Sequence, residues 1–229
     1  MNIKTAPAGK KNKVLYIVCA AIAVIFVLLA CVVFMLTAAP RHYQPLQPEN
    51  SNEVSQYLTN YLAPQIHNKS QLDEPFELVV TEQGLNDIIA RGRWPIKLNG
   101  LTASGPAVVL SANKITLMAT VKYGRIRAVV TIVMSPTIDE GGLFCLNLQN
   151  VKAGSVGITT LAKELSRKIT ATYLGKVDPN TWADDMTAAL LENKAIDPVF
   201  DAYDRQVRLT DIDISNGKAV LQLATQSER

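Results

Sequence analysis

Four consecutive runs of strand-forming residues between Pro106 and Val151 constrain the fold of this chain more than any other feature. Short turn-forming segments such as Gly124 and Asp139–Gly142 separate the runs, and connections of this length allow only antiparallel hairpins. The runs therefore predict a four-stranded meander. In the second run an apolar set, predicted to be buried, alternates with a polar set, predicted to face solvent. The first set is Ile115, Leu117, Ala119, Val121 and Tyr123, and the second is Lys114, Thr116, Thr120 and Lys122.

Helices on either side of the meander are the available covers for its apolar face. Apolar spacing predicts a helix that begins near Glu49 and is interrupted by Pro64. Thr81 is suited to cap a short helix that directly follows a strand from 76 to 80. Two more helices are predicted, from Thr159 or Thr160 to Gly175 and from 178 onwards.

The dipeptide Asn216-Gly217 predicts a final hairpin between strands at 205–214 and 218–225. Together these elements predict the α+β class, with one domain in which a curved antiparallel meander sheet packs against helices. The chain is long enough for one sizeable core beyond its apolar N-terminal run.

The run from Val14 to Ala39 contains no charged residue and, at about 1.5 Å per helical residue, is long enough to cross a bilayer. Four lysines precede it and only Arg41 follows closely, so the positive-inside rule places the N-terminus in the cytoplasm. The expected order is a cytoplasmic tail at 1–13, a single-pass transmembrane helix at 14–39, a juxtamembrane linker at 40–48 and an extracytoplasmic domain at 49–229. The expected location is the cell (inner) membrane, with the domain periplasmic or extracellular.

Two alternatives to an uncleaved signal-anchor explain the run less well. A cleaved signal peptide has a shorter apolar core. A lipoprotein cleavage before Cys31 would leave 32–36 as an isolated apolar tail. The following linker contains three prolines and is predicted to be a stiff spacer, with Tyr43 at the membrane interface.

Little in the sequence points to catalysis. The two histidines, His42 and His67, lie outside any metal-binding or general-base motif. Isoleucines alternate with Asp211 and Asp213, which indicates a strand rather than a calcium loop, and a set of three acidic residues is predicted to share a helical face. That set is Asp197, Asp201 and Asp204. We therefore expect no enzyme, no metal site and no cofactor. Residues 1–13 carry four lysines and no acid, so the other 216 residues have a net charge of −1, which makes nucleic acid a poor partner.

The segment 91–97 holds three cations around one indole and is the candidate site for contact with lipid headgroups or the membrane surface. Its residues are Arg91, Arg93, Trp94 and Lys97. Tryptophan prefers the interfacial layer, and nearby cations are attracted to anionic lipids. The alternative is an exposed loop in which Trp94 packs inward.

The order of these elements resembles a known group. A lysine cluster, one membrane helix, a strand running into Thr81-Glu-Gln-Gly-Leu-Asn86, and long strands ending in Met134-Ser-Pro136 and Asp139-Glu-Gly-Gly142 resemble the YpmS-like membrane-anchored bacterial proteins. The order is also similar to tubular lipid-binding (BPI/SMP-like) domains. The resemblance implies an apolar cleft between sheet and helix that holds an acyl chain, and it carries over no catalytic residue.

We therefore expect a non-enzymatic protein that binds a lipid or another apolar ligand near the membrane surface. The alternative is an interaction module of an envelope complex that uses its sheet, or the edge of its sheet, for a protein partner and binds no ligand.

Overall fold

The computed structural model describes residues 10–48, 50, 53–98, 100–160, 162 and 194–226, except for the side chains of 10–21 and 98. Thr159 and Thr160 are helical, and the rest of the two helices predicted between 159 and 196 lies almost entirely outside the described residues. Within the described part of the chain, no helix combines the length and the apolar character needed to cross a membrane.

The protein has an α+β fold with two antiparallel sheets. The helical elements are α1 (Lys10–Thr37), a π-helical turn (Leu58–Leu62), α2 (Ala63–Ser70) and α3 (Glu82–Ala90). The strands are β1 (Phe76–Thr81), β2 (Ile96–Leu98), β3 (Leu101–Ser111), β4 (Lys114–Tyr123), β5 (Ile126–Ile138), β6 (Phe144–Ala153), β7 (Val156–Gly157), β8 (Val199–Ala202), β9 (Arg205–Ser215) and β10 (Lys218–Gln226). Sheet A has the order β1-β10-β9-β8 and sheet B the order β2-β3-β4-β5-β6-β7.

Sheet B follows the chain order, so the predicted meander is confirmed. Its first long strand begins at Leu101 rather than at Pro106. The pairing register shifts between Ser104 and Ala107, and Gly105 there has a φ of +60°. Proline has no backbone N–H to donate to a neighbouring strand. It is tolerated in a bulge because the residues of a bulge do not need to make that hydrogen bond.

Sheet B has buried residues on both of its faces, contrary to the prediction for β4. Its core face packs Val108 and Leu110 against Ile214 of sheet A. The opposite face, which we call the tyrosine face, buries Met118 beneath Tyr43. The fraction of Thr120 that is exposed is only 5%, although the alternation predicts that this residue faces solvent.

The helices and sheet A form the second part of the core. Leu62 of the π-helical turn packs with Leu78, Val207 and Leu223 of sheet A. The predicted cap is confirmed, because the Gly84 N–H donates to Thr81 Oγ1 at 3.1 Å. The final hairpin is also confirmed, as β9 and β10 with their turn at 216–217.

The prediction that Pro64 interrupts a helix begun near Glu49 is wrong. The helix begins at Gln56 and continues without a break to Ser70. Proline lacks an N–H and its ring collides with the carbonyl four residues before it in a regular α-helix. The π-helical turn widens the backbone at this point, with the Ala63 N–H bonded to Leu58 O, and so accommodates the ring.

The predicted helical face of three aspartates is also wrong. Asp201 lies in β8 and Asp204 in the turn that follows it, while Asp197 forms an ion pair with Arg208 at 2.8 Å. β8 begins with only two consecutive apolar residues, which are too few for a hydrophobic period to distinguish a strand from a helix.

Candidate functional site

Three turns of sheet B meet at one end of the sheet. The register pairs Leu101 with Tyr123 and Tyr123 with Ile126, so the β2–β3 and β4–β5 turns lie side by side. The β6–β7 turn lies at the same end, where the Ser155 N–H donates to Met35 O of α1 at 2.8 Å. We call this region the α1 end of sheet B.

The opposite end of sheet B joins the rest of the domain. The Asn113 N–H, in the β3–β4 turn, donates to Ile214 O at 2.9 Å, and the Gly217 N–H donates to Leu110 O at 3.0 Å. The hydrophobic core therefore closes over this end, and the α1 end projects away from it.

Large apolar side chains are exposed on the core face at the α1 end. This apolar patch consists of Ile96 (51% exposed), Leu101 (36%), Tyr123 (62%) and Ile126 (54%). Leu101, Tyr123 and Ile126 are direct cross-strand neighbours. Contiguous exposed apolar surface of this kind marks sites of interaction with membranes, ligands or proteins.

The tyrosine face at the same end carries cations. The register places Lys97, Thr102, Lys122 and Arg127 side by side on four adjacent strands, and we call the three cations of this set the basic row. Lys122 and Arg127 lie directly opposite each other, an arrangement that costs stability because like charges repel. Within the described parts of the chain, no acidic side chain forms an ion pair with the basic row.

Two of the four residues of the predicted site make hydrogen bonds to α3. The Arg91 Nε lies 2.9 Å from Asp87 Oδ1, and Trp94 Nε1–H donates to Ile89 O at 2.7 Å. These two side chains are therefore held against α3. Arg93 and Lys97 are exposed, and Lys97 belongs to the basic row.

Lys122, Arg125 and Arg127 were not predicted as site residues. The signal that could have found them is a turn at Gly124 that is flanked by cations and by Tyr123. Counting outwards from this turn places residues 122 and 127 opposite each other, on the same face.

A polar cluster surrounds the start of the first helical segment beyond the linker. Buried Ser55 donates its hydroxyl to Asp87 Oδ2 at 2.5 Å, and the Leu58 N–H donates to Ser55 Oγ at 3.1 Å. The Ser55 bond, followed by the bond from Arg91, holds the pKa of Asp87 below its ordinary value. Asp87 therefore stays charged at neutral pH and links the linker side of the domain to α3.

The cluster borders a groove of about 510 Å³ between the linker and α3, lined by Gln44, Tyr57, Glu82 and Asn86 among others. The two polar ends of Asn86 are both used, since its amide donates to Val108 O at 2.8 Å and its oxygen accepts from the Val108 N–H at 2.8 Å. No group of three or more His, Cys, Asp or Glu side chains close enough to hold a metal ion occurs among the described residues.

Comparisons with protein-family models, with curated proteins and with solved structures find no match to this chain. The resemblance to the YpmS-like group and to tubular lipid-binding domains therefore stays a prediction.

Proposed function

We propose that this is a single-pass, membrane-anchored protein without enzymatic activity, whose extracytoplasmic domain binds lipid at the membrane surface. The observation that carries the proposal is the position of the apolar patch. Tyr123 and Ile126 are exposed at the end of sheet B where α1 meets the sheet, rather than at the end that joins sheet A.

The location of the patch suits a membrane surface because the charge-free run 14–39 supplies the anchor. A helix that leaves the bilayer at Thr37 brings the adjoining end of sheet B to the headgroup layer. Tyrosine is enriched in that layer, where its ring is apolar and its hydroxyl is hydrated. Covering the exposed parts of four apolar side chains contributes on the order of 1 kcal/mol for each.

The domain is also fixed to α1 rather than loosely tethered, which favours a role at a set distance from the membrane. The Ser155 N–H bonds to a carbonyl of α1, and Tyr43 of the linker packs on the tyrosine face. The linker therefore holds sheet B close to the point where α1 ends. Tyr43 packs on sheet B, and its predicted position at the membrane interface stays a prediction.

The test uses the full chain, purified from membranes in a mild detergent, and measures the bound lipid by mass spectrometry. We expect the double variant Y123S/I126S to retain less lipid than the wild type. The control is L72S, since Leu72 is 59% exposed but lies outside the patch. Comparing the variants with each other removes the contribution of lipid that α1 itself retains.

Equal lipid retention by the wild type and Y123S/I126S would contradict the proposal. A protein that crosslinks in membranes, in a one-to-one ratio, to a photoreactive residue at position 126 would favour the interaction module instead.

A further inference from the structure

A groove of about 440 Å³ lies between the last turns of α1 and the start of β5. Val33 of α1 and Val129 of β5 give it apolar walls, and Thr37 and Tyr43 add hydroxyl groups. Arg125 and Arg127 also line the groove and are exposed to solvent. The groove thus combines an apolar wall with two guanidinium groups.

The cations around the groove have no counter-charge in the described part of the chain. Neither Arg125 nor Arg127 forms an ion pair with Asp or Glu in that part of the chain, and Lys122 lies opposite Arg127. Their mutual repulsion is relieved when an anion binds between them. Arginine suits a phosphate group because its planar fork donates two parallel hydrogen bonds.

We infer that this groove binds the phosphate of an anionic phospholipid, with one acyl chain along the exposed side of α1. The inference rests on the proposed membrane function and adds the lipid class and the residues that select it. The apolar wall continues along α1, because Leu29, one helical turn before Val33, is on the same side of the helix and is 58% exposed. A soluble phosphate would gain nothing from that wall.

The basic row explains why an anionic lipid is preferred to a zwitterionic one. A choline headgroup carries its own cation, which Lys122 and Arg127 repel, whereas a glycerol headgroup leaves the phosphate charge uncompensated. Each cation near an anionic headgroup changes affinity by about fivefold at moderate ionic strength.

The experiment is a lipid titration of the full chain in detergent, followed by native mass spectrometry. The probes are phosphatidylglycerol and phosphatidylcholine with identical acyl chains. We expect the wild type to bind phosphatidylglycerol more tightly, and R125Q/R127Q to weaken that binding by about 25-fold, the product of about fivefold for each cation. R125K/R127K should recover part of the loss, because lysine keeps the charge but not the fork.

The matched control is K114Q/K218Q, which removes two exposed cations at the far end of the molecule from the groove. It should bind phosphatidylglycerol as the wild type does. An equal loss in this control, or equal binding of both lipids by the wild type, would overturn the inference while leaving lipid binding by the domain intact. If the wild type and Y123S/I126S retain the same amount of lipid, that result would instead contradict the proposed function itself.

Discussion

At the scale of single residues, the hydroxyl of Tyr43 joins the linker to sheet B. It lies 2.6 Å from Gly105 O and 2.8 Å from Thr120 Oγ1. We expect Y43F to lower the free energy of unfolding by about 1–2 kcal/mol, since the mutation removes a hydrogen-bond partner from the buried Thr120 hydroxyl and from the Gly105 carbonyl. Urea unfolding of the full chain in detergent, followed by tryptophan fluorescence, measures the change.

The control for Y43F is Y123F, which removes a hydroxyl from a ring that is 62% exposed. It should leave the free energy of unfolding unchanged within about 0.5 kcal/mol, as is usual for surface positions. Equal effects of the two substitutions would show that the contacts of Tyr43 do not stabilise the docked linker.

The Ser55–Asp87 pair predicts a dependence of stability on pH. The pKa of Asp87 is lowered in the folded protein, first by the Ser55 hydroxyl and then by Arg91. In the unfolded chain a carboxyl of this type titrates near pH 4, so folding favours the charged form. The resulting stability is present above about pH 4 and is lost as the pH falls through the folded pKa.

We therefore expect S55A to lower the free energy of unfolding at pH 7 by about 2 kcal/mol, a typical value for a hydrogen bond to a charged group. The same substitution should reduce the loss of stability between about pH 5 and pH 3, because less of the pKa shift remains. D87N is the control, since it removes the titrating group and with it this part of the pH dependence. A pH profile of S55A parallel to that of the wild type would count against the pair.

At the scale of elements, the contact between α1 and the β6–β7 turn depends on Gly154. Its φ is +58°, and a Cβ there would collide with the backbone carbonyl oxygens of Met35 and Leu36. We expect G154A to separate the turn from α1 and to speed hydrogen exchange of the Ser155 amide, which donates to Met35 O.

Gly142 provides the control for this substitution. It also has a positive φ, of +74°, but a Cβ there would meet no atom within 4 Å. G142A therefore carries the backbone strain without the collision, and it should leave exchange at Ser155 unchanged. If both variants or neither variant speeds that exchange, the contact is not specific to Gly154.

Local patterns in the sequence predict most of the strands but not their burial. Alternation and turn chemistry are properties of neighbouring residues, so the meander, the Thr81 cap and the 216–217 hairpin follow from the sequence. Burial of Thr120 depends on Tyr43, which lies 77 positions away in the chain. The hydrogen bonds from Arg91 to the backbone carbonyls of Asn50 and Glu53 likewise require contacts that no local pattern encodes.

The candidate site could be predicted in part from local patterns, and the rest of it depends on contacts between distant parts of the chain. Lys97 was predicted, but its neighbours in the basic row follow only once the register of two hairpins is known. Cross-strand partners can be counted outwards from a turn, which makes the pairing of Lys122 with Arg127 accessible to sequence reasoning. The closeness of α1 to this pair could not be predicted, because a bond between a turn and the end of a remote helix leaves no pattern in the sequence.

At the scale of the whole molecule, the proposal fixes which end of sheet B faces the bilayer. β4 runs from Lys114 at the far end to Tyr123 at the α1 end, and ten strand residues span roughly 30 Å. A quencher confined to the bilayer therefore reaches one end of β4 and not the other. We expect brominated lipids to quench the fluorescence of Y123W strongly and that of K114W only slightly, in the full chain reconstituted into nanodiscs.

The native tryptophans are common to both variants, so subtracting the wild-type signal isolates the introduced residue. Equal quenching of the two variants would show that sheet B lies parallel to the membrane or away from it, and stronger quenching of K114W would reverse the proposed orientation.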